Sequence, residues 1–546
     1  MDVSTDQDQI SVDLAPSVAR LTRLYERGHL DMIAAQEAQL VAAFPKASAI
    51  ALLLGAAQAG LGKTEAAIGH FRRSLEIDPL LLDAYNNLGV LLNSQNQIAP
   101  AVKCFVRALM VMPGSAAARY NLGLALHKTG AGEMAARHYR CATVADPLYR
   151  DAYYNLGISN HKIGAFAGAI DSVRKCLLLQ PGFFKGYNNL ASSLSDIGRV
   201  EEALRHFDRA LVLQSDDPET HHNRGLALLK KGEFSAAWKA CDWRWLRPGA
   251  AHIKPHLTAP EWHPETPSRR LLLWAEQGVG DEILCASVIP ELRAQCEQLT
   301  VLADRRLIPL MARSSPADVV FQARTEDFSD AGFDAQISIV SAGKYLRAST
   351  ARIQAVPQGY LRADPTQTGR LRAAIYRAAA VPDTAQAIGR PRICGLSWRS
   401  ESKDTGSLKS LSLAALAAAV AHPQLIFVNL QYGDTLGERQ QLKLATGIDV
   451  IDLPMVDNFK DLDGLAATIS ACDMVVSIAN VTADLAGALG ADLKVLLAQR
   501  SDWRWQLAGP ESIWYPSAHL YRRGAAASWQ AVLDQLQHDI NVALRR

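Results

Sequence analysis

No two cysteines in this chain stand in a Cys-x-x-Cys spacing. The eight lie scattered at Cys104, Cys141, Cys176, Cys241, Cys285, Cys296, Cys394 and Cys472, with no metal-ligand pattern among them. This argues against a structural zinc site and a disulfide framework, and the thiols read as reduced and mostly packed. An excess of one charge is lacking as well. Lys plus Arg number 57 and Asp plus Glu 55, a net charge of +2, which gives no global field to hold nucleic acid and leaves only local patches. No run of 18 apolar residues occurs. The longest near-candidate, Leu411 to Ala421, is too short to span a bilayer. The opening MDVSTDQDQI has neither the basic nor the apolar region of a secretory signal. The expectation is a soluble, cytoplasmic protein without a membrane span.

What is present is an ordinary folded composition, 49% apolar and 21% charged over 546 residues, enough for three or four domains at roughly 150 residues each. The first half repeats. Pro45, Pro79, Pro113, Pro147 and Pro181 stand 34 residues apart. Gly28, Gly62, Gly130, Gly164, Gly198 and Gly232 keep the same step, with Asn96 in the vacant slot. A second small-residue series runs Gly55, Gly89, Gly123, Gly157 and Gly225, with Ala191 as its exception. Ala67, Ala101, Ala135, Ala169, Ala203 and Ala237 form a third, and Phe71, Phe105, Tyr139 and Phe207 an aromatic one. Small residues let the two helices of a hairpin approach closely, glycine suits the turn between them, and proline ends one unit and starts the next. The pattern resembles the tetratricopeptide repeat (TPR), over about residues 11–245 after a tail at 1–10. It predicts a right-handed superhelix of helix pairs with a concave inner face.

One series has two readings. Asn87, Asn121, Asn155, Asn189 and Asn223 recur at the 34-residue step on the first helix of each pair. A carboxamide both donates and accepts, so such a ladder would hold the backbone of an extended peptide whatever its sequence. Equally, Asn at this position would cap or bridge neighbouring helices. The ladder resembles that of the eukaryotic O-GlcNAc transferase, and that resemblance implies an acceptor-binding role.

Beyond Ala237 the repeats dissolve into CDWRWLRPGA, and a connector over 246–268 carries five prolines, Pro248, Pro255, Pro260, Pro264 and Pro267. Short apolar runs then alternate with helical stretches: LLLWA, LTVLA, DVVF and AQISI, followed by RICGLSW, LIFVNL, DVIDL, DMVVSI and LKVLL. Strand alternating with helix at this spacing means parallel α/β sheets. Two such sets predict Rossmann-like domains over 269–388 and 389–546, with ligand at the carboxyl ends of the strands.

Five segments in order, LLLWAEQGVGDEI, GLSWRS with SLKSLSL, MVVSIANVTADLAGALG, SDWRWQLAGPESIWYP and LYRR, resemble the glycosyltransferase half of bacterial TPR–glycosyltransferase fusion proteins. That half is similar to the ADP-heptose:LPS heptosyltransferases, and the plan is similar to O-GlcNAc transferase. The resemblance implies an α-helical TPR superhelix followed by a metal-independent GT-B glycosyltransferase, without cofactor and with a nucleotide sugar as co-substrate. The subgroup suggested is the flagellin glycosyltransferases, which implies a nonulosonic acid donor such as CMP-pseudaminic acid and a Ser/Thr acceptor on a protein such as flagellin.

Carried onto this sequence, the resemblance makes Asp281 the catalytic base, with Gly278 and Gly280 giving substrate access to the backbone. Glu276 and Glu282 are nearby substitutes, and the alternative for Asp281 is an acid that complements a helix N-terminus. Trp398, Arg399, Ser400 and Lys409 are donor-binding candidates, the two cations neutralising phosphate or merely standing solvated in loops. Asn480, Val481 and Thr482 would offer a helix N-terminus to an anion, with Thr482 alternatively a simple N-cap. Two aromatic motifs accompany these residues. DWRW occurs at 242–245 and at 502–505. The first reads as a cap packing the repeats on the second half, and the second, with Trp514 and Tyr515, as a wall of the donor side. The chain departs from the family where relatives read DTAVAHLAGALG: it has Ala479, Asn480 and, at the usual His, Asp484. Two alternatives stay open, a non-catalytic TPR scaffold with a degenerate transferase and a glycan or lipid glycosyltransferase.

Overall fold

The computed structural model describes residues 13–249, 257–276, 278–325, 328–381, 390–402, 406–524 and 528–545. The tail at 1–10 and part of the connector (250–256) lie outside the described residues. The chain divides into two units, residues 1–189 and 190–546.

The first unit is a stack of helical hairpins. Ser48–Gly60 pairs with Thr64–Ile77, Leu82–Ser94 with Ile98–Val111, Ala116–Lys128 with Gly132–Ala145, and Arg150–Lys162 with Phe166–Leu179. Each series in the sequence has its place. Gly28, Gly62, Gly130 and Gly164 turn the chain with φ between 75° and 80°, and Asn96 fills its slot at φ 61°; Asn is among the few residues with a side chain that tolerate this region. Inside the hairpins, a Cβ on Gly89 would lie 2.6 Å from Phe105, and one on Gly123 2.7 Å from Tyr139. The glycine series is therefore the floor on which the aromatic series packs.

The second unit begins with the last repeats, Val200–Leu213, Pro218–Lys231 and α1 (Phe234–Cys241), and passes through a 3₁₀ turn at Asp242–Leu246 into two parallel sheets. The first sheet holds β1 (Ser268–Trp274), β2 (Cys296–Ala303), β3 (Val320–Ala323) and β4 (Ala335–Ser338) in the order β3-β2-β1-β4. The second holds β5 (Arg392–Ser397), β6 (Leu425–Asn429), β7 (Val450–Ile451), β8 (Met474–Ile478), β9 (Leu493–Leu497) and β10 (Ala518–Arg522) in the order β10-β9-β8-β5-β6-β7. That order is doubly wound, and the chain reverses direction across the sheet between β5 and β8. The central strands are apolar throughout because helices cover both faces.

One core runs through the unit. Phe234 and Trp238 of the last repeat, Leu271 and Ile337 of the first sheet, and Val475, Leu485 and Trp505 of the second belong to the same buried cluster. The Trp238 indole N–H donates to the Arg347 carbonyl at 3.0 Å, and its ring stands edge-on to Trp503. Among the described residues, no helix is long and apolar enough to cross a membrane.

Candidate functional site

Two helices meet where the carboxyl ends of the sheets converge. β1 runs out through Ala275 and Glu276, and Gly278 opens α2 (Val279–Cys285). In the second sheet, β8 leads into α3 (Val481–Ala488). A Cβ on Gly280 would lie 2.6 Å from the Asp484 Oδ2 and 3.3 Å from an Arg504 nitrogen. Gly280 is thus required by the approach of α2 to α3. Gly278 is open, its nearest neighbour to such a Cβ being the Asp281 carboxylate at 3.9 Å.

Arg504 sits at the centre. Its Nη2 donates to the Asp281 carboxylate and its Nη1 to Asp484 at 3.2 Å, while Asp502 lies 3.4 Å from its Nε. The Tyr515 hydroxyl donates to Asp484 at 3.2 Å. Three carboxylates thus surround one guanidinium in a largely dry seam. Burial raises Asp281 above the usual carboxylate range, against the pull of Arg504. Asp484 is pushed up to about 6 by burial, helped by Asp281 and Asp502 and again opposed by Arg504. Asp502 goes the other way: burial pushes it up, but Arg504 and Lys409 outweigh it. Burial lowers Lys409, which faces Asp502, Arg504, Asp484 and Arg500 and forms no ion pair among the described residues.

The two acids beside Asp281 are engaged differently. Glu276 is 3% exposed and receives Arg244 through Nε at 2.7 Å and Nη2 at 2.8 Å, with the Ser338 hydroxyl donating to it as well. Glu282 is buried, accepts the Asp304 amide at 2.9 Å, and is pushed up to about 7 by desolvation.

The remaining predicted residues fall into two groups. Trp398 is buried and donates its indole N–H to Glu438 at 2.6 Å. Arg399 is bound to the same Glu438 and to the Asp434 carbonyl, and Ser400 donates its amide to Ser410 at 2.9 Å. The Gln431 Oε1 ties this turn down, accepting from the Ser397 hydroxyl and from the amides of Trp398 and Arg399. At α3 the N-cap is Asn480, whose Oδ1 accepts from the Ala483 amide, while its Nδ2 donates to the Ser397 hydroxyl at 2.8 Å. This corrects the reading of Thr482 as the cap. Thr482 is fully buried, its hydroxyl directed at the Leu430 carbonyl, and Val481 packs against the core.

Beside the ends of β6 and β7 opens a cleft of about 550 Å³, lined by Asn429, Tyr432, Asp452, Asn458, Phe459 and Lys460 among others. Sequence reasoning passed over it, because aromatic and polar residues in loops carry no period.

In the first unit, Asn121 donates to the Asn86 carboxamide at 2.8 Å and Asn155 to the Tyr120 hydroxyl at 2.9 Å, each reaching back 35 residues into the preceding repeat. Asn87 is half-buried. Asn189 receives a long hydrogen bond from Asn188, and in the second unit Asn223 donates weakly to Glu219. At Asn121 and Asn155 the ladder bridges helices through its N–H groups. Their carboxamide oxygens have no hydrogen-bond partner among the described residues.

Comparison with known proteins supports the repeats. Family profiles for the TPR repeat match residues 179–232, and tetratricopeptide-repeat profiles match 23–80 and 81–109. Protein FlbA of Caulobacter vibrioides is 26% identical over 330 residues, 57% of this chain and 53% of FlbA. The chain therefore spans about half the length of the curated relative it matches. Among solved structures, MamA is 25% identical, covering 30% of this chain and 94% of its own, with a TM-score of 0.29. YrrB, described as a TPR protein with an unusual peptide-binding site, is 18% identical over 35% of this chain and 97% of its own, with a TM-score of 0.32. The chain carries tetratricopeptide repeats in its first half and parallel α/β sheets in its second.

Proposed function

We propose that this chain is a protein O-glycosyltransferase of GT-B type. The observation that carries the reading is that Asp281, bound by Arg504, and Lys409, which forms no ion pair among the described residues, belong to one cluster of charges at the carboxyl ends of two parallel sheets. Asp281 receives the proton of an acceptor Ser or Thr hydroxyl. The acceptor oxygen then bonds to the anomeric carbon as the bond to the nucleotide breaks, inverting that centre. Lys409, desolvated beside Asp502 and Arg504, meets the charge that develops on the departing phosphate. The polar cleft beside β6 and β7, with Tyr432 and Phe459 as its aromatic walls, accommodates a nucleoside. The donor proposed is CMP-pseudaminic acid or a related nonulosonic acid.

The acceptor is a protein such as a flagellin, held along the repeats. The carboxamide oxygens of Asn121 and Asn155 are placed to accept from its backbone. A cytoplasmic location goes with this reading.

A second reading, a TPR scaffold whose transferase half is inactive, is favoured by the commitment of Asp281 to Arg504. A thermal-shift panel of the full chain with CMP, UDP, GDP and ADP separates the two. A ligand at about 100 times its Kd stabilises its site by roughly 2.7 kcal/mol. Selective stabilisation by CMP supports the nonulosonic acid donor, and UDP or ADP redirects it to hexose, HexNAc or heptose. No shift with any of the four favours the scaffold.

A further inference from the structure

The tetrapeptide DWRW occurs twice, 260 positions apart, and the two copies do the same thing from opposite sides. Each forms a 3₁₀ turn, Asp242–Leu246 and Trp503–Trp505. Each sets its arginine over a tryptophan of its own motif, Arg244 over Trp245 at 4.3 Å and Arg504 over Trp503 at 5.6 Å. Each places its aspartate beside its own guanidinium, at 3.5 Å and 3.4 Å. What remains of each guanidinium is spent on one of the two carboxylates that flank the glycine turn. Arg244, at the end of the repeats, takes Glu276 in a two-pronged contact. Arg504, from the second sheet, takes Asp281. Behind them, Ser338 and Ser341 complete the coordination of Arg244, and Asp484 buttresses Arg504.

We infer that the two DWRW segments are a paired clamp that fixes the entry to α2, with Arg504 the positioning residue for Asp281 and Arg244 the positioning residue for Glu276. The planar guanidinium supplies what a lysine cannot, two donors in a fixed fork. Because Arg504 engages Oδ1 of Asp281, the carboxylate is held by one oxygen, and its Oδ2 lies on the side of Gly278, where a Cβ would meet it at 3.9 Å. Asp484 hydrogen-bonds Arg504 at 3.2 Å, so a change at Asp484 disturbs the guanidinium that holds Asp281. The repeats are then more than a tether, since one half of the clamp is built on their last turn. The role of Asp281 as base rests on the proposed transfer reaction; the clamp does not.

The test uses the full chain with Arg504→Lys, Arg244→Lys and Asp484→Asn. Amide hydrogen exchange is followed by mass spectrometry in peptides covering Val279–Cys285 and, as an internal reference, the helix Val200–Leu213. Arg504→Lys is expected to speed exchange at α2 at least tenfold while the reference helix is unchanged, and Asp484→Asn to act in the same direction by a smaller factor. Unchanged exchange at α2 in both variants overturns the clamp. Should Arg504→Lys fail to fold, Asp484→Asn and Arg244→Lys decide the matter by the same readout. Where the nucleotide panel identifies a donor, Arg504→Lys is expected to lower kcat on the order of 100-fold with KM within threefold, as displacement of a reacting group does. An unaltered kcat overturns the positioning role. A wild-type chain that turns over no donor refutes the transfer reading, and the exchange measurement still decides the clamp.

Discussion

Replacing Gly280 with alanine inserts one methyl group into the close contact between α2 and α3. The new Cβ would stand 2.6 Å from the Asp484 Oδ2 and 3.3 Å from an Arg504 nitrogen. Restoring an ordinary contact requires a movement of about 0.8 Å, and neither neighbour is free to make it. Asp484 is held by Arg504 and Tyr515, each at 3.2 Å, and Arg504 by Asp281 as well. Overpacking of this kind costs about 1–3 kcal/mol, and losing a hydrogen bond to a charged group about 1.5–3 kcal/mol. Alanine in a helix returns about 0.5–1 kcal/mol relative to glycine. The net expectation is a loss of about 2–4 kcal/mol. Gly278→Ala is the control. Its φ of −76° and ψ of 163° suit any residue, nothing lies closer than 3.9 Å, and stability should stay within about 0.5 kcal/mol. The assay is selective by composition, since all ten tryptophans fall between Trp238 and Trp529, inside the second unit. Denaturant unfolding followed by tryptophan emission therefore reads that unit alone. A Gly280→Ala chain as stable as wild type would refute the close packing of α2 on α3 and the ion cluster built upon it.

Glu276→Gln and Arg244→Met each break a buried, two-pronged ion pair, and each should cost the second unit about 3–5 kcal/mol because the surviving charge is stranded; the double substitution should cost less than the sum of the two, and additive losses in the same emission assay would contradict the pairing. Asp484 has the opposite sign. Its folded value of about 6 lies above the ordinary carboxylate range, so its ionisation weighs against folding. That penalty is absent below about pH 4 and complete above about pH 6, and it amounts to about 3 kcal/mol at 1.36 kcal/mol per unit. Asp484→Asn should accordingly gain on wild type as pH rises from 4 to 7, and a difference between the two chains that stays flat over that range would count against the buried carboxylate. Asn121→Ala and Asn155→Ala each remove one inter-repeat hydrogen bond and should cost the first unit about 1 kcal/mol apiece, read by circular dichroism because that unit has no tryptophan. The same pair should weaken binding of an unfolded acceptor peptide, and unaltered affinity would confine the ladder to packing.

How much of this was legible before the structure depends on the range of the interaction. The hairpins were, because each of their contacts is rehearsed every 34 residues. Gly89 against Phe105 and Gly123 against Tyr139 are the same event, and the turn at Asn96 was marked by its place in the glycine series. The parallel strands were legible for a similar reason, since a strand covered on both faces must be apolar along its whole length. The glycine turn and Asp281 stood out as a local motif. Their partner did not. Arg504 lies 223 positions from Asp281, and no pattern in either segment names the other. The partner of Trp398 and Arg399 was equally hidden. Both sit at a strand end, where ligands are usually met, and Glu438, about forty positions on, engages both side chains. Asn480 takes the capping role offered as an alternative for Thr482, because the side chain just before the helix, not one inside its first turn, can reach forward to the amide of Ala483.

The unusual aspartate at position 484 then has a physical account. A carboxylate on the first turn of α3 is a poor neighbour for a phosphate, and alone it would weaken the case for a transferase. It is not alone, since Arg504 occupies the space between it and Asp281 and Lys409 faces the same cluster. The positive charge at this seam is therefore carried by side chains that arrive from other segments, and α3 supplies the counter-charge that orients one of them. The glycine at 280 that lets Asp484 reach Arg504 and the other DWRW segment, which takes Glu276 on the far side of the turn, both converge on the few residues around Asp281, and this convergence is the reason to test Arg504 before any residue of the repeats.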